Sequence, residues 1–319
     1  MFLIDLSKSE DNNKLYGGNA GFKRGITIDG ANWIIKFPQE TTGFKNVDIS
    51  FTTSPLSEYI GSHIFQILGY NAQETKLGYY HNKKYKRIQV VVICKDFTNE
   101  YIKLVDYESI KNNYSDDLQE KLIEIKNNIS KGNSLDTHSV PIEEVMLQLD
   151  ENEIFKNNKY VKEYFWDMLV IDFIINNNDR NKNNWGLLFN AKTNKYDMAP
   201  IYDNGASFVS KHSDEKLMNI MSSEARMKNS VLNGMCYYTF GGEAVNFKNF
   251  FIKLHNANLD KDLNDAIKRV IPNFKSHWDE IKQFINGIPN EENNLEIISN
   301  IQKEFFIKSM EIRVNNIFN

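Results

Sequence analysis

The sequence predicts a two-lobed α+β fold, with a strand-rich amino-terminal lobe over residues 1–98 and a larger helical lobe over 99–319. Three observations carry that prediction. Up to about residue 98 the apolar residues fall in short alternating runs bounded by turn signals, the two-residue period of strands. After "CKDFTNE" the period lengthens to that of amphipathic helices. A chain of 319 residues also has the length for about two domains.

In the first lobe, "GITIDGANWIIKFP" reads as two strands joined at Asp29-Gly30, because Asp-Gly supplies the positive-φ residues of a tight hairpin turn. "ETKLGYYHNKKYKRIQVVVIC" reads as a second hairpin, turning at His81–Lys84. Between them "SPLSEYIGSHIFQILGY" reads as a helix. Ser54 is its expected cap, Pro55 its first helical residue, and Leu56, Ile60, Ile64 and Ile67 form one apolar stripe. In the second lobe, helical periodicity marks 107–129, 141–155, 162–177, 243–256, 259–271 and most of 275–319. Strands are expected there only at Trp185–Asn190 and Lys195–Ala199, facing each other across a polar turn.

Composition narrows the function. The chain is 41% hydrophobic and 25% charged, ordinary for a globular protein. A net charge of −4 and a pI near 5.9 leave no broad basic surface for nucleic acid, although a phosphate site needs only a local cluster of donors. Cys94 and Cys236 are too few and too far apart for a disulfide framework or a zinc knuckle, and are expected as reduced, packed thiols. "MFLIDLSKSEDNNK" lacks the pattern of a signal peptide, and the most apolar run, "MLVIDFII" at 168–175, is far shorter than the roughly 20 residues that span a bilayer. The expected setting is cytoplasmic, without membrane attachment; non-classical export stays open.

"FIINNNDRNKNNWGLLF" poses the central chemical question, since one aspartate, Asp179, stands in a polar loop between apolar runs. A calcium loop is excluded. Asp179, Asn181 and Asn183 match its first, third and fifth positions, but Asn184 and Asn190 replace the required glycine and glutamate. Phosphoryl transfer fits better. It needs a carboxylate to orient the acceptor hydroxyl and a neutral oxygen ligand for magnesium, which protein kinases space as Asp-x-x-x-x-Asn after an apolar helix. Asp179 and Asn184 stand at that spacing, in a loop over 177–184. "MAPIYDNGASF" adds a second carboxylate, Asp203, followed by Asn204-Gly205, as the candidate metal loop over 202–205.

Upstream, Gly17, Gly18 and Gly21 form a loop whose backbone can approach phosphates without Cβ hindrance. Lys36 follows among apolar residues in "WIIKFP", where a lysine needs a partner if it is buried, and Glu58 on the next helix is the expected one. Each feature alone has a plain alternative: a polar turn, a surface lysine, a solvated helix-face glutamate. Their order is the kinase order, and the lobe architecture changes where it should.

"WIIKFP", "LSEYIGSHIFQILG", "INNNDRNKNNWG" and "APIYDNGASF" resemble the corresponding segments of HipA-type serine/threonine kinases, a likeness running from about Tyr16 to the C-terminus. The resemblance implies a protein-kinase-like (HipA-like) fold. It implies ATP as phosphoryl donor, Lys36 on its phosphates, Asp179 as base, and Asn184 and Asp203 on Mg²⁺. It also implies that the connector at 92–97, with Ile93, Cys94, Lys95 and Asp96, supplies backbone contacts to adenine. Three departures limit the transfer. The family's extra subdomain before the Gly-rich loop has no room here, so antitoxin and DNA association are not expected. Asn181 stands where the family often has histidine. The loop serine that HipA toxins phosphorylate is replaced around Tyr16–Asn19.

The expected activity is transfer of the ATP γ-phosphoryl group to a protein hydroxyl, Ser or Thr with Tyr as an alternative, and self-phosphorylation with Tyr16 and Ser7 as nearby hydroxyls. Glu58 is expected to orient Lys36, and Arg180 or Lys182 to offset charge on the transferring group. The rivals are a phosphoinositide-type lipid kinase, against which stands the lack of a basic membrane-binding stretch, and a nucleotide-binding pseudokinase scaffold, which would not need all four catalytic groups.

Overall fold

The computed structural model describes residues 1–14, 16–17, 22–45, 47–82, 86–130, 140–158 and 160–317. The sheet-rich part contains β1 (Ile4–Asp5), β2 (Lys23–Ile28), β3 (Ala31–Lys36), helix α1 (Ser54–Ile67), β4 (Thr75–Asn82) and β5 (Arg87–Lys95). Its five strands lie in the order β1-β4-β5-β3-β2. The β2–β3 pair turns at Asp29 and Gly30 with φ of 49° and 77°, the two positive values an Asp-Gly hairpin turn requires. β5 lies in the middle and both of its faces are covered, so its apolar run is continuous rather than alternating. Val92 and Cys94 face the main core with Leu56, Ile60 and Ile64 of α1. Val91 and Ile93 join Leu6, Ile26, Trp33, Ile35 and Phe37 in a second cluster on the other face.

The helical part follows: β6 (Ile102–Asp106), α2 (Tyr107–Ile110), α3 (Asp116–Ser130), α4 (Ile142–Glu151), α5 (Glu153–Lys156), α6 (Val161–Ile175), β7 (Gly186–Asn190) and β8 (Lys195–Met198). Then come α7 (Asp214–Met221), α8 (Glu224–Leu232), α9 (Phe247–Asn256), α10 (Lys261–Ser276), α11 (Trp278–Gly287), β9 (Glu291–Glu292), β10 (Leu295–Glu296) and α12 (Asn300–Asn315). Helix α6 is buried on nearly every side, which explains why its sequence is apolar all round rather than striped. It stops at Asn176, whose left-handed φ of 57° turns the chain into the loop carrying Asp179. Among the described residues no helix is long and apolar enough to cross a membrane. Both cysteines are buried free thiols.

Several local expectations need correction. The residue before α1 is Thr53, which makes no side-chain cap; the Ser54 hydroxyl instead meets Thr52 Oγ1 at 2.8 Å. His81 and Asn82 continue β4 rather than turning, paired with Ile88 and Arg87, and Lys83 and Lys84 lie outside the described residues. Strand β6 was not expected. It pairs with β7 and makes a three-stranded sheet with β8. Its approach is close enough that a Cβ on Gly186 would sit 2.3 Å from the Val105 carbonyl oxygen, so this crossing demands glycine. Helices α7 and α8 were also missed, α9 starts at Phe247 rather than residue 243, and α10 runs through Pro272 to Ser276. The stretch after 275 is interrupted by the short β9–β10 pair.

Candidate active site

Lys36 is the last residue of β3 and points back across the sheet to α1. Its Nζ lies 2.9 Å from Glu58 Oε2 and 2.9 Å from Asp203 Oδ1. Glu58 is 1% exposed, so an unpaired carboxylate there would be costly. It is held on both oxygens, because Oε1 also accepts the Asn204 amide at 3.1 Å. Burial alone would lower the Lys36 pKa. The Asp203 and Glu58 carboxylates outweigh it and hold the lysine pKa well above its usual value. Asp203 shows the converse: burial opposes its charge, but Lys36 keeps its pKa below the usual carboxylate range. Both groups are charged at neutral pH. The expected Lys36–Glu58 pair is present, and Asp203 is its third member.

Asp179 lines the same cavity of about 360 Å³ as Lys36, Glu58, Asn178, Asp203 and Lys211. A larger groove, about 670 Å³, lies on the far side of residues 52–55 and contains none of the candidate groups. Partial burial raises the Asp179 pKa, with the Asp203 charge adding to the rise, while a hydrogen bond from Asn181 Nδ2 at 3.0 Å and the charges of Arg180 and Lys211 oppose it. Asn184 folds back on the loop, its Nδ2 donating to the Asp179 carbonyl at 2.7 Å. That bond orients the amide and leaves its Oδ1 without a protein donor among the described residues.

The two loops are joined through Arg180 and Asn204, in a role the sequence reading did not assign to them. Arg180 is 1% exposed and grips Asp172 of α6 with both ends of its fork, Nε to Oδ2 at 2.8 Å and Nη2 to Oδ1 at 2.9 Å. The same guanidinium donates to the Asn184 carbonyl at 3.0 Å, the Tyr202 carbonyl at 2.5 Å and Asn204 Oδ1 at 2.6 Å. Arg180 therefore braces the catalytic loop against the metal loop and has no freedom to meet a phosphate. Lys182 is also diverted, 3.0 Å from Glu108. Asn204, the polar middle residue of Asp-Asn-Gly, is fully buried and donates through Nδ2 to Ser62 of α1 at 3.0 Å. A Cβ on Gly61 would stand 2.8 Å from Asn204 Cβ, so α1 can approach this loop only with glycine there.

The connector at 92–97 begins inside β5, which runs to Lys95. Ile93 and Cys94 sit inside β5, flanked by β3 and β4. The Lys95 amide donates to the Glu74 carbonyl and its own carbonyl accepts Gln73 Nε2, while the Asp96 amide donates to the Asn32 carbonyl. The backbone of Ile93–Lys95 and the Asp96 amide are thus committed to the sheet or its flank. The Asp96 side chain is occupied as well, holding Lys14 Nζ at 2.8 Å and the Tyr16 hydroxyl at 3.0 Å. Burial, with Asp96 beside it, pushes the Tyr16 pKa up to about 12. Gly17 is described, and its carbonyl accepts Lys23 Nζ at 2.9 Å. Gly18 and Gly21 lie outside the described residues.

No protein-family model matches the chain. It is 31% identical to the serine/threonine-protein kinase CtkA of Helicobacter pylori over 98% of this chain and 86% of that protein. The crystal structure of a Helicobacter pylori proinflammatory kinase CtkA superposes with a TM-score of 0.77 at 27% identity, covering 98% of this chain and 94% of that one. A HipA from Shewanella oneidensis, in complex with HipB and operator DNA, gives a TM-score of 0.47 at 11% identity over 95% of this chain and 67% of that one.

Proposed function

The chain belongs to the family of the serine/threonine-protein kinase CtkA, and on that premise we propose how its cleft carries the γ-phosphoryl group of ATP to a protein hydroxyl. The supporting observation is that Lys36, Glu58 and Asp203 meet within hydrogen-bond distance and share one cavity with Asp179. An ammonium has three N–H donors. Two of those on Lys36 reach carboxylates, and the third is left for a phosphate oxygen. Adenine takes the Asp96 carbonyl and the Phe97 backbone, just beyond the strand.

Asn184 and Asp203 would hold a magnesium ion. The donor set fits: an ionised carboxylate and a neutral amide oxygen are hard ligands, and Mg²⁺ characteristically takes one or two protein oxygens and fills its octahedron with water and phosphate. When bound, the ion would offset the negative charge of the nucleotide phosphates. Asp179 orients the acceptor hydroxyl and takes its proton, and Asn181 fixes the carboxylate's rotamer. Incubation with γ-labelled ATP and protein acceptors, with and without excess chelator, tests this reading. Label should appear on serine or threonine and vanish when divalent cation is removed. Full transfer in chelator would remove the metal assignment.

The pH profile follows from Asp179. The carboxylate must be ionised to accept a proton, and its pKa lies above the usual 3.8 because burial disfavours the charge. Transfer should therefore decline as pH falls through that raised value, earlier than an ordinary carboxylate would dictate. Initial rates at saturating Mg-ATP measure it; a rate unchanged down to about pH 4 would contradict the role.

A further inference from the structure

We propose that Lys211, on the segment following the metal loop, contacts the γ-phosphoryl group in flight and supplies the cation that the catalytic loop withholds. The proposal rests on the cleft assignment above. Charge on the transferring group spreads over its oxygens and is stabilised by fixed cations in the site. The neighbouring cations are otherwise engaged. Arg180 is buried against Asp172, Lys182 pairs with Glu108, Lys23 donates to the Gly17 carbonyl, and Lys36, shared by two carboxylates, has one donor left, which the proposed reading gives to the nucleotide.

Lys211 is different. It lines the cavity beside Asp179 and Asp203, and among the described residues no carboxylate lies within ion-pair distance of its amine. The amine stands 4.8 Å above the Phe44 ring, a contact that steadies an ammonium without neutralising it. The backbone around it is anchored: the preceding Ser210 carbonyl accepts the Thr53 amide at 2.8 Å at the start of α1, and Phe208 donates to the Ile175 carbonyl at 2.7 Å. A flexible stem thus hangs from a fixed point into the cavity that Asp179 lines. In the step, the bond between the γ-phosphorus and the bridging oxygen breaks and ADP keeps its electron pair. The acceptor oxygen forms the new P–O bond, and its proton passes to Asp179. Lys211 donates to an equatorial oxygen of the moving group and transfers no proton.

The test compares the native chain with Lys211→Ala and Lys211→Arg, reading steady-state transfer and calorimetric binding of Mg·ADP with and without aluminium fluoride, which mimics the group in flight. Lys211→Ala should lose roughly 10²-fold in kcat while binding Mg-ATP and Mg·ADP within about twofold of native, and should lose the extra affinity that fluoride confers. Lys211→Arg should restore most of both. Because the side chain is exposed, thermal melting should not move. A Lys211→Ala chain that matches the native one in rate and in its response to fluoride overturns the proposal. Asp203→Asn, measured alongside, reports separately on the cleft assignment: retention of native Mg·ADP affinity there would fault that assignment and not Lys211.

Discussion

Asp179→Asn should transfer phosphate roughly 10²–10⁴-fold more slowly than the native chain and bind Mg-ATP nearly as well. The substitution keeps shape and polarity but removes the charge that accepts the hydroxyl proton. Nucleotide affinity should survive, since Asp179 is tied through Asn181 and forms no ion pair with Lys36, which meets Glu58 and Asp203 instead. Asp203→Asn should fail differently. It removes the carboxylate 2.9 Å from Lys36 together with a proposed magnesium ligand, so turnover and Mg-ATP affinity fall together. Glu58→Gln should lie between them, loosening Lys36 without touching the metal. Calorimetric titration of Mg-ATP beside a transfer assay separates the three. Equal losses of nucleotide affinity at both aspartates would refute this division of labour.

Arg180→Met should cost about 3–5 kcal/mol of stability and abolish measurable transfer. The mutation leaves Asp172, fully buried, with no counter-charge, and strips hydrogen bonds from the Asn184 and Tyr202 carbonyls and from Asn204. Arg180→Lys should fare little better, because a point charge cannot reproduce the fork that reaches Asp172 and three further acceptors. Adding Asp172→Asn to Arg180→Met should recover part of the stability by removing the stranded charge, but not the transfer rate, since the loops remain unbraced. Urea titration of the four proteins measures the first effect and a kinase assay the second. A native melting curve for Arg180→Met would show that the buried pair holds nothing together.

Much of this protein was legible without its structure, and the reason is range. The Asp29-Gly30 turn, the stripe of Leu56, Ile60 and Ile64, and the all-round apolar α6 are properties of a few consecutive residues, and local periodicity reports them. The convergence of Lys36, Glu58, Asp179 and Asp203 on one cavity was anticipated as well, because such chemistry requires particular residue types at particular places along the chain. Strand β6 was lost because "IKLVD" is short and half exposed, and becomes a strand only against β7. That the backbone of Ile93–Lys95 is bonded within the sheet was not legible, because which amides a sheet consumes depends on the register of β3 and β4 against β5.

Sequence by itself determined the α+β architecture, the kinase order and the pairing of Lys36 with Glu58: periodicity and residue chemistry act over short spans, and a lysine set among buried residues demands an acid. Only the tertiary structure decided which cations are free to act. Arg180 and Lys182 sit in the expected loop, yet Asp172, eight residues upstream on α6, captures one, and Glu108, at a distance along the chain, captures the other. Lys211 and the buried Asn204 carry no local signature at all. Their partners lie on α1, on the catalytic loop and at Phe44, segments that folding alone brings within a few ångströms, where Coulomb and hydrogen-bond energies become large enough to choose between them.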